Sequence, residues 1–195
     1  MIHPHTELRY ISDEVGHGVV ATQFIPAGTI TWVLDKLDRE FTKKQFQSFD
    51  PLYQNILDTY SYRNSKGNYV LCWDHGRFVN HSFKSNCLST AYDFEIAIRD
   101  IHPGEQLTDD YGYLNVDTPF QAADEGTKRK VVYPDDLPNY HKKWDKTIAA
   151  VFPKINELPQ PLAPLLSEAT KQTIAEVNSG KTKMASILTN YFERD

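Results

Sequence analysis

Cysteine is scarce in this chain, which has 195 residues and only two cysteines, Cys72 and Cys87. They form no CxxC pair, so the sequence argues against a zinc site built on thiolates, and we predict no metal site. The simplest interpretation is that both cysteines are buried free thiols of a protein in a reducing compartment. A single disulfide between them stays open as the alternative.

Long apolar segments are also missing. The first ten residues lack the apolar core of a signal peptide, and no run of about 18 apolar residues occurs anywhere in the sequence. We therefore expect a soluble, cytoplasmic protein that does not contact a membrane. Export by a route that needs no signal would leave no trace in the sequence.

An excess of basic charge is absent as well, because 21 Lys and Arg face 26 Asp and Glu, a net charge of −5. This balance argues against direct binding of nucleic acid. A mildly acidic surface attracts a lysine-rich peptide, but the simpler interpretation is that the charge keeps the protein soluble. The length fits one domain, with or without an appended lobe, and the sequence does not indicate the oligomeric state.

Short apolar segments separated by Gly and Pro turns dominate the first 115 residues. The turns at residues 25–28 (IPAG) and 101–104 (IHPG) each precede a predicted strand, and residues 16–18 (GHG) are predicted to form a further turn. The predicted strands are residues 7–11, 19–22, 29–34, 68–73, 88–92, 94–98 and 106–108. Many short strands with such turns predict a mostly β fold with helices.

Helix-start signals interrupt this β region. Thr42 is a predicted N-cap, and Asp50 followed by Pro51 is a second predicted helix start. Residues 36–64 are therefore predicted to form a helical insert.

The C-terminal part has a different pattern. Tyr140, Trp144 and Ile148 follow one another at helical spacing. We predict a helical C-terminal extension over residues 116–195. Its first portion, residues 117–138, is polar and contains turn residues, so it is predicted to be a linker or a lid.

Three polar motifs are candidates for chemistry. Two glycines flank His17 in residues 16–18, which lets backbone groups approach a ligand closely. Residues 77–82 (RFVNHS) end in three side chains that hydrogen-bond well, and residues 104–113 (GEQLTDDYGY) place Tyr111 beside a glycine near a strand end. Each motif alone is most often a turn or a strand end. Their order and spacing along one chain favour a shared function.

Taken together, these motifs resemble those of the SET-domain family of protein-lysine methyltransferases. The resemblance covers about residues 6–115. It implies a β-clip of small sheets in which the NHS and DY segments cross in a pseudoknot. We expect a SET domain over residues 1–115 and a helical lobe over residues 116–195 that completes the cofactor and substrate site. Relatives with a cysteine cluster after the SET region bind zinc there, whereas this chain resembles a compact member without that cluster.

The resemblance also implies a cofactor, S-adenosylmethionine, and a substrate, a lysine side chain of a protein or peptide. Tyr111 matches the catalytic tyrosine of the family. Tyr69 is a further candidate for a ring that faces the cofactor or the channel, and Phe120 either covers the adenine or only packs. The residues that match cofactor-binding positions are Gly16, His17, Gly18, Asn80 and His81.

Asp109 is a departure from the family pattern. Many relatives carry Phe or Tyr two residues before the catalytic tyrosine, and that ring helps to set how many methyl groups are added. We predict a substrate channel that includes Asp109 and Tyr113, in which the carboxylate holds an ammonium group or a water. Alternatively, the backbone shifts and Asp109 faces solvent. A SET-like module that binds a peptide or the cofactor without turnover is the alternative function, and an interaction role for the C-terminal helices is compatible with either.

Overall fold

The β region of the protein is divided among five small sheets, as seen in a computed structural model that describes residues 1–194. Helices make up 32% and strands 23% of the structure, and the longer helices lie in the C-terminal part. The structure is thus mixed, and its small sheets and C-terminal helices confirm the predicted β fold with helices and a helical C-terminal lobe. The strands are β1 Thr6–Ser12, β2 Gly16–Ala21, β3 Ile30–Val33, β4 Arg39–Phe41, β5 Ser61–Arg63, β6 Tyr69–Leu71, β7 Asn80–His81, β8 Cys87–Ser89, β9 Phe94–Ala97, β10 Thr108–Asp109, β11 Phe120–Gln121 and β12 Val131–Val132.

Four α-helices accompany these strands in the described chain: α1 Lys43–Ser48, α2 Pro51–Tyr60, α3 Asp136–Val151 and α4 Glu168–Asn178. Short 3₁₀ helices connect several elements, including His75–Phe78, Tyr111–Tyr113 and Ile187–Asn190. None of the helices in residues 1–194 combines the length and the apolar character that crossing a membrane requires.

A three-stranded antiparallel sheet, in the order β3–β9–β8, lies at the centre of the molecule. Its side chains contribute to two apolar clusters. One is shared with α3, where Phe94 and Ile96 are buried together with Trp144 and Ile148. The other lies toward β2, and it includes Cys72 and Cys87, which are both buried free thiols as expected. Because the central sheet is covered on both sides, any polar residue within it must find a partner or a ligand.

The insert contains both predicted helices. Thr42 Oγ1 accepts from the N–H of Gln45 at 3.2 Å, and Gln45 Oε1 accepts from the N–H of Thr42 at 2.8 Å, so α1 begins with a capping box. Asp50 accepts from the N–H of Leu52 at 2.9 Å and starts α2. The same region also holds two strands that the pattern did not predict, because β4 and β5 have three residues each and form only by pairing with β6.

The GHG segment differs from its predicted conformation. Residues 16–18 lie within strand β2, with His17 paired to Tyr10 of β1, and the hairpin turn comes before them. Gly16 supplies the positive φ of +76° at the start of the strand, where the register with Ser12 is irregular. The prediction of a turn at residues 16–18 was therefore wrong, because β1 extends far enough to include them in the ladder.

The C-terminal lobe packs directly on the β region. Gln160 binds the turn that precedes β3, since its Oε1 accepts from the N–H of Ile30 at 2.8 Å and its Nε2 donates to the carbonyl of Gly28 at 3.0 Å. The segment predicted as a linker or lid, residues 117–138, contains the β11–β12 hairpin and the first turn of α3.

Candidate active site

The NHS and DY motifs meet in a short parallel pair. Strand β7 lies beside β10, with Asn80 opposite Thr108 and His81 opposite Asp109. The N–H of Ser82 extends the pairing by donating to the carbonyl of Asp109 at 2.8 Å. This pairing brings the two motifs into one site.

Asn80 joins the GHG segment to the same site. Its Nδ2 donates to the carbonyl of His17 and to Oε1 of Gln106, both at 3.0 Å. A Cβ at Gly18 would lie 2.4 Å from Oε1 of Gln106 and 2.8 Å from Nδ2 of Asn80. The glycine therefore makes room for the amide of Asn80 against the backbone of β2.

His81 presents a buried donor. Its Nδ1 accepts from the backbone N–H of Tyr111 at 3.1 Å, and burial lowers the pKa of the ring, which favours the neutral form. From this hydrogen bond we assign the proton to Nε2, which is buried and has no partner among residues 1–194. The rings of Phe83 and Phe120 have their centroids 4.4 and 5.7 Å from that of His81. The His81 ring therefore lies among aromatic side chains and has one unused donor.

Tyr111 is held by its backbone and by its hydroxyl. The hydroxyl donates to the carbonyl of Val79 at 2.8 Å, and burial raises the pKa of the phenol well above its usual value. The side chain therefore stays protonated at neutral pH. Its ring centroid lies 6.1 Å from that of Phe120 on the β11–β12 hairpin.

A cavity of about 1150 Å³ opens beside Tyr111. Asp109, Tyr113 and Tyr69 also line it, whereas residues 16–18, Asn80 and His81 lie outside its lining. Tyr111 thus stands between the cavity and the polar cluster around Asn80 and His81.

Tyr69 lies on the wall of this cavity. Its ring stacks on Phe46 with centroids 4.2 Å apart, and its hydroxyl accepts from Nη2 of Arg63 at 2.8 Å. The structure does not bring Tyr69 together with Asn80 and His81. Its role in binding the cofactor stays a prediction, and its position suits the cavity better.

Asp109 is buried and not directed to solvent. The residue is 4% exposed, and its Oδ1 has no hydrogen-bond partner in the described chain. Burial raises the pKa of this carboxyl to about 6. The alternative in which Asp109 faces solvent is excluded, and the carboxyl lies at the cavity wall near Tyr113.

Several site residues were not found from the sequence. Glu125, on the loop of the β11–β12 hairpin, accepts from the hydroxyl of Ser82 at 2.7 Å and from the N–H of Phe83 at 2.8 Å. Glu95 of β9 lines the cavity close to Asp109. A glutamate between Phe94 and Ile96 in a buried strand was the one available signal, since such a position rarely carries a charge.

Arg129 is a further residue that the sequence does not single out. It lies between Lys128 and Lys130, and a short basic run of this kind is usually solvated. The structure instead pairs the Arg129 guanidinium with Asp110 and Asp136, two buried carboxylates. Arg129 thus connects the β11–β12 hairpin to the segment just before Tyr111.

The small sheets, the parallel pairing of β7 and β10, and the tyrosine beside that pair give the arrangement that the family resemblance implied. A profile of the SET domain matches residues 16–112. The chain therefore belongs to the SET-domain family. A solved structure of a Plasmodium falciparum protein named as a candidate histone methyltransferase is similar at 18% identity and a TM-score of 0.42, and the match covers 56% of this chain and 95% of that chain. A search of curated proteins finds no match.

Proposed function

We propose that this protein is a protein-lysine N-methyltransferase that uses S-adenosylmethionine. The observation that carries the proposal is the β7–β10 pairing, which joins the NHS motif to Tyr111 through the bond from the Tyr111 N–H to His81 Nδ1. Membership of the SET-domain family supports it independently.

The residues around His81 suit the cofactor. The buried Nε2–H of His81 lacks an acceptor in the described chain, and a purine nitrogen or a carboxylate would provide one. Phe83 and Phe120 flank the same ring and offer an aromatic surface to a purine. Asn80, His81 and the backbone of residues 16–18 would hold S-adenosylmethionine, which supplies the methyl group on a positively charged sulfur.

Tyr111 is proposed to position the lysine amine. A lysine must lose its proton before it can react, because its free pKa is about 10.4. A buried site disfavours the ammonium form, and alignment of the amine lowers the barrier further. The hydroxyl of Tyr111 is fixed by the carbonyl of Val79 and remains protonated, so its oxygen can accept from the amine without ionising.

The test is methyl transfer itself. Incubation of the protein with S-adenosylmethionine labelled in its methyl group and a panel of lysine-rich proteins should label lysine in at least one of them. Mass spectrometry of the product then gives the modified lysine and the number of methyl groups. The matched control is the Tyr111→Phe variant at the same concentration.

The same experiment distinguishes the binding-module alternative. Binding of S-adenosylmethionine in calorimetry, with no label transferred to any protein in the panel, would favour a module without turnover. Absence of both binding and transfer would contradict the proposal and the alternative together.

A further inference from the structure

Two buried carboxyl groups face the same cavity from different strands. Glu95 belongs to β9 and is 9% exposed, and Asp109 belongs to β10 and is 4% exposed. Ser89 Oγ donates to Oε1 of Glu95 at 3.1 Å, whereas Oδ1 of Asp109 has no partner among residues 1–194. Both residues line the cavity that also contains Tyr111. A carboxyl pair at this depth requires compensation, because unpaired buried charge is strongly unfavourable.

No cationic side chain of the cavity wall compensates this pair. Arg63 is engaged by Tyr69 and Asp117, and Arg77 donates to backbone carbonyls. Lys66 acts on Glu40, and Arg129, which is not part of the cavity wall, pairs with Asp110 and Asp136. The pair therefore has no ion-pair partner among the Lys and Arg side chains of the described cavity wall.

An independent observation indicates a ligand at this place. The hydroxyl of Tyr113 is buried in a residue that is 2% exposed, and it has no hydrogen-bond partner in residues 1–194. It lines the same cavity as Asp109, and burial, together with the nearby carboxylate of Asp109, raises the pKa of the Tyr113 phenol well above its usual value. An unpartnered hydroxyl and an unpartnered carboxyl oxygen together fit a group with several N–H donors.

The charge of the cavity lining also favours a cationic ligand. Among its described lining residues, eight are Asp or Glu and three are Arg or Lys. Such a cavity concentrates cations at its mouth. An ammonium group is a compact cation with three donors, which matches the pair better than a neutral ligand does.

We propose that Glu95 and Asp109 form the ammonium subsite of the cavity, where they bind the side chain of the substrate lysine and accept its proton. One N–H bond of the ammonium breaks, its electron pair stays on nitrogen, and the proton goes to the carboxylate of the pair. The amine is then neutral beside Tyr111. After the product leaves, the pair releases its proton to water. This assignment rests on the proposed methyltransferase function and names the groups that prepare its substrate.

The protonation of the pair is consistent with this role. Burial raises the pKa of Asp109 to about 6 and raises the pKa of Glu95 well above its usual value, so the pair binds a proton more readily than exposed carboxylates do. Several other titratable groups interact electrostatically with Glu95 or Asp109. They are Tyr62, Cys72, Cys87, Asp110, Tyr111, Tyr113 and the amine of Met1. Burial keeps the tyrosines and cysteines among them neutral, while Asp110 is paired with Arg129 and the amine with Asp35. An ionised carboxylate of the pair therefore has no neighbouring cationic side chain and is available to a ligand.

The first test measures kcat/KM as a function of pH for the variants Asp109→Asn and Glu95→Gln. Each should lose about 100-fold or more at neutral pH, as expected for removal of a proton acceptor. The rate of each variant should then rise about tenfold per pH unit, because only the amine that is already neutral in solution can react below its pKa of about 10.4. The wild-type rate should level off well below that pH. The control is Asp93→Asn, which removes a different carboxylate from the cavity wall and leaves the pH profile unchanged.

The second test needs no turnover. Carbon-13 signals of the Asp and Glu carboxyls are followed while n-butylammonium, or its neutral analogue 1-butanol, is added to the wild-type protein. The ammonium should shift the signals of Glu95 and Asp109 saturably, butanol should not, and Asp109→Asn should weaken the ammonium affinity at least tenfold. Unmoved signals, or equal shifts with butanol, would overturn the subsite. Saturable binding in a protein that methylates nothing would instead retain the subsite and reject the methyltransferase function.

Discussion

The backbone N–H of Tyr111 donates to Nδ1 of His81 at 3.1 Å. A tyrosine of the DY motif and a histidine of the NHS motif thus share one hydrogen bond, although they are far apart along the chain. The orientation of the imidazole and the position of the phenol are therefore coupled. Changes at His81 should affect both cofactor binding and catalysis, whereas a change confined to the Tyr111 hydroxyl should affect catalysis alone.

Replacement of the Tyr111 hydroxyl is the cleanest test of its role. Tyr111→Phe keeps the backbone bond to His81 and loses only the bond to the carbonyl of Val79. We expect methyl transfer to fall about 100-fold because the amine is no longer aligned, with S-adenosylmethionine affinity within about twofold of wild type. Radiolabel transfer and calorimetry measure the two quantities. Tyr53→Phe, on the exposed face of α2, is the matched control, and a full rate in Tyr111→Phe would refute the role assigned to the hydroxyl.

Asn80 is expected to contribute to cofactor affinity. Asn80→Ala removes the donors to the carbonyl of His17 and to Gln106, so the β2 backbone loses its link to the NHS segment. With about 1 kcal/mol for each hydrogen bond, the affinity for S-adenosylmethionine should fall about tenfold or more. Calorimetry measures the affinity of Asn80→Ala and of the control variant Asn55→Ala on α2. Equal affinities of the two variants would argue against a role of Asn80 in cofactor binding.

The stability of the protein should depend on pH through Asp109. The pKa of this carboxyl is raised to about 6 in the folded state, so its contribution is fully present below about pH 4 and is lost as the pH rises through 6. Asp109→Asn cannot ionise, and relative to wild type it should gain on the order of 3 kcal/mol between pH 4 and pH 8. Urea unfolding of both proteins at the two pH values gives this difference. An identical pH dependence would show that Asp109 does not titrate in this range.

Arg129 should be a strong determinant of stability. Arg129→Ala leaves Asp110 and Asp136 buried without a counter-charge, which should cost about 3 kcal/mol or more of the free energy of unfolding. Lys130→Ala, next to it in the same hairpin, removes only an exposed pair with Asp124 and should leave the free energy of unfolding almost unchanged. Chemical denaturation of the two variants compares them directly. Similar small losses would mean that the two aspartates are solvated.

The sequence predicted the elements whose signals are local. Thr42 and Asp50 cap the insert helices where expected, and the Gly/Pro turns precede strands as expected, because these preferences act within a few residues. Strands β4 and β5 escaped prediction because their three-residue segments form only when β6 lies between them. The GHG segment was assigned to a turn because its pairing with β1 could not be read from the two glycines.

The sequence predicted the motifs of the site, but it did not predict which other side chains surround them. Family resemblance suggested Asn80, His81 and Tyr111, and the β7–β10 pairing brings all three together. The burial of Asp109 and the presence of Glu95 depend on how two sheets pack across a cavity. The one local sign is the position of Glu95 between Phe94 and Ile96 in an apolar strand, and no local pattern around Asp109 indicates its burial.

The parallel pairing of β7 and β10 has a further consequence for how the site comes into being. Parallel strands need a long connection, and here β8 and β9 lie between them, so the pair closes only after a large loop of chain has been ordered. The NHS and DY segments reach their relative positions when these two strands pair. A local opening at either strand would separate Tyr111 from His81. The site therefore forms only when both strands are in place.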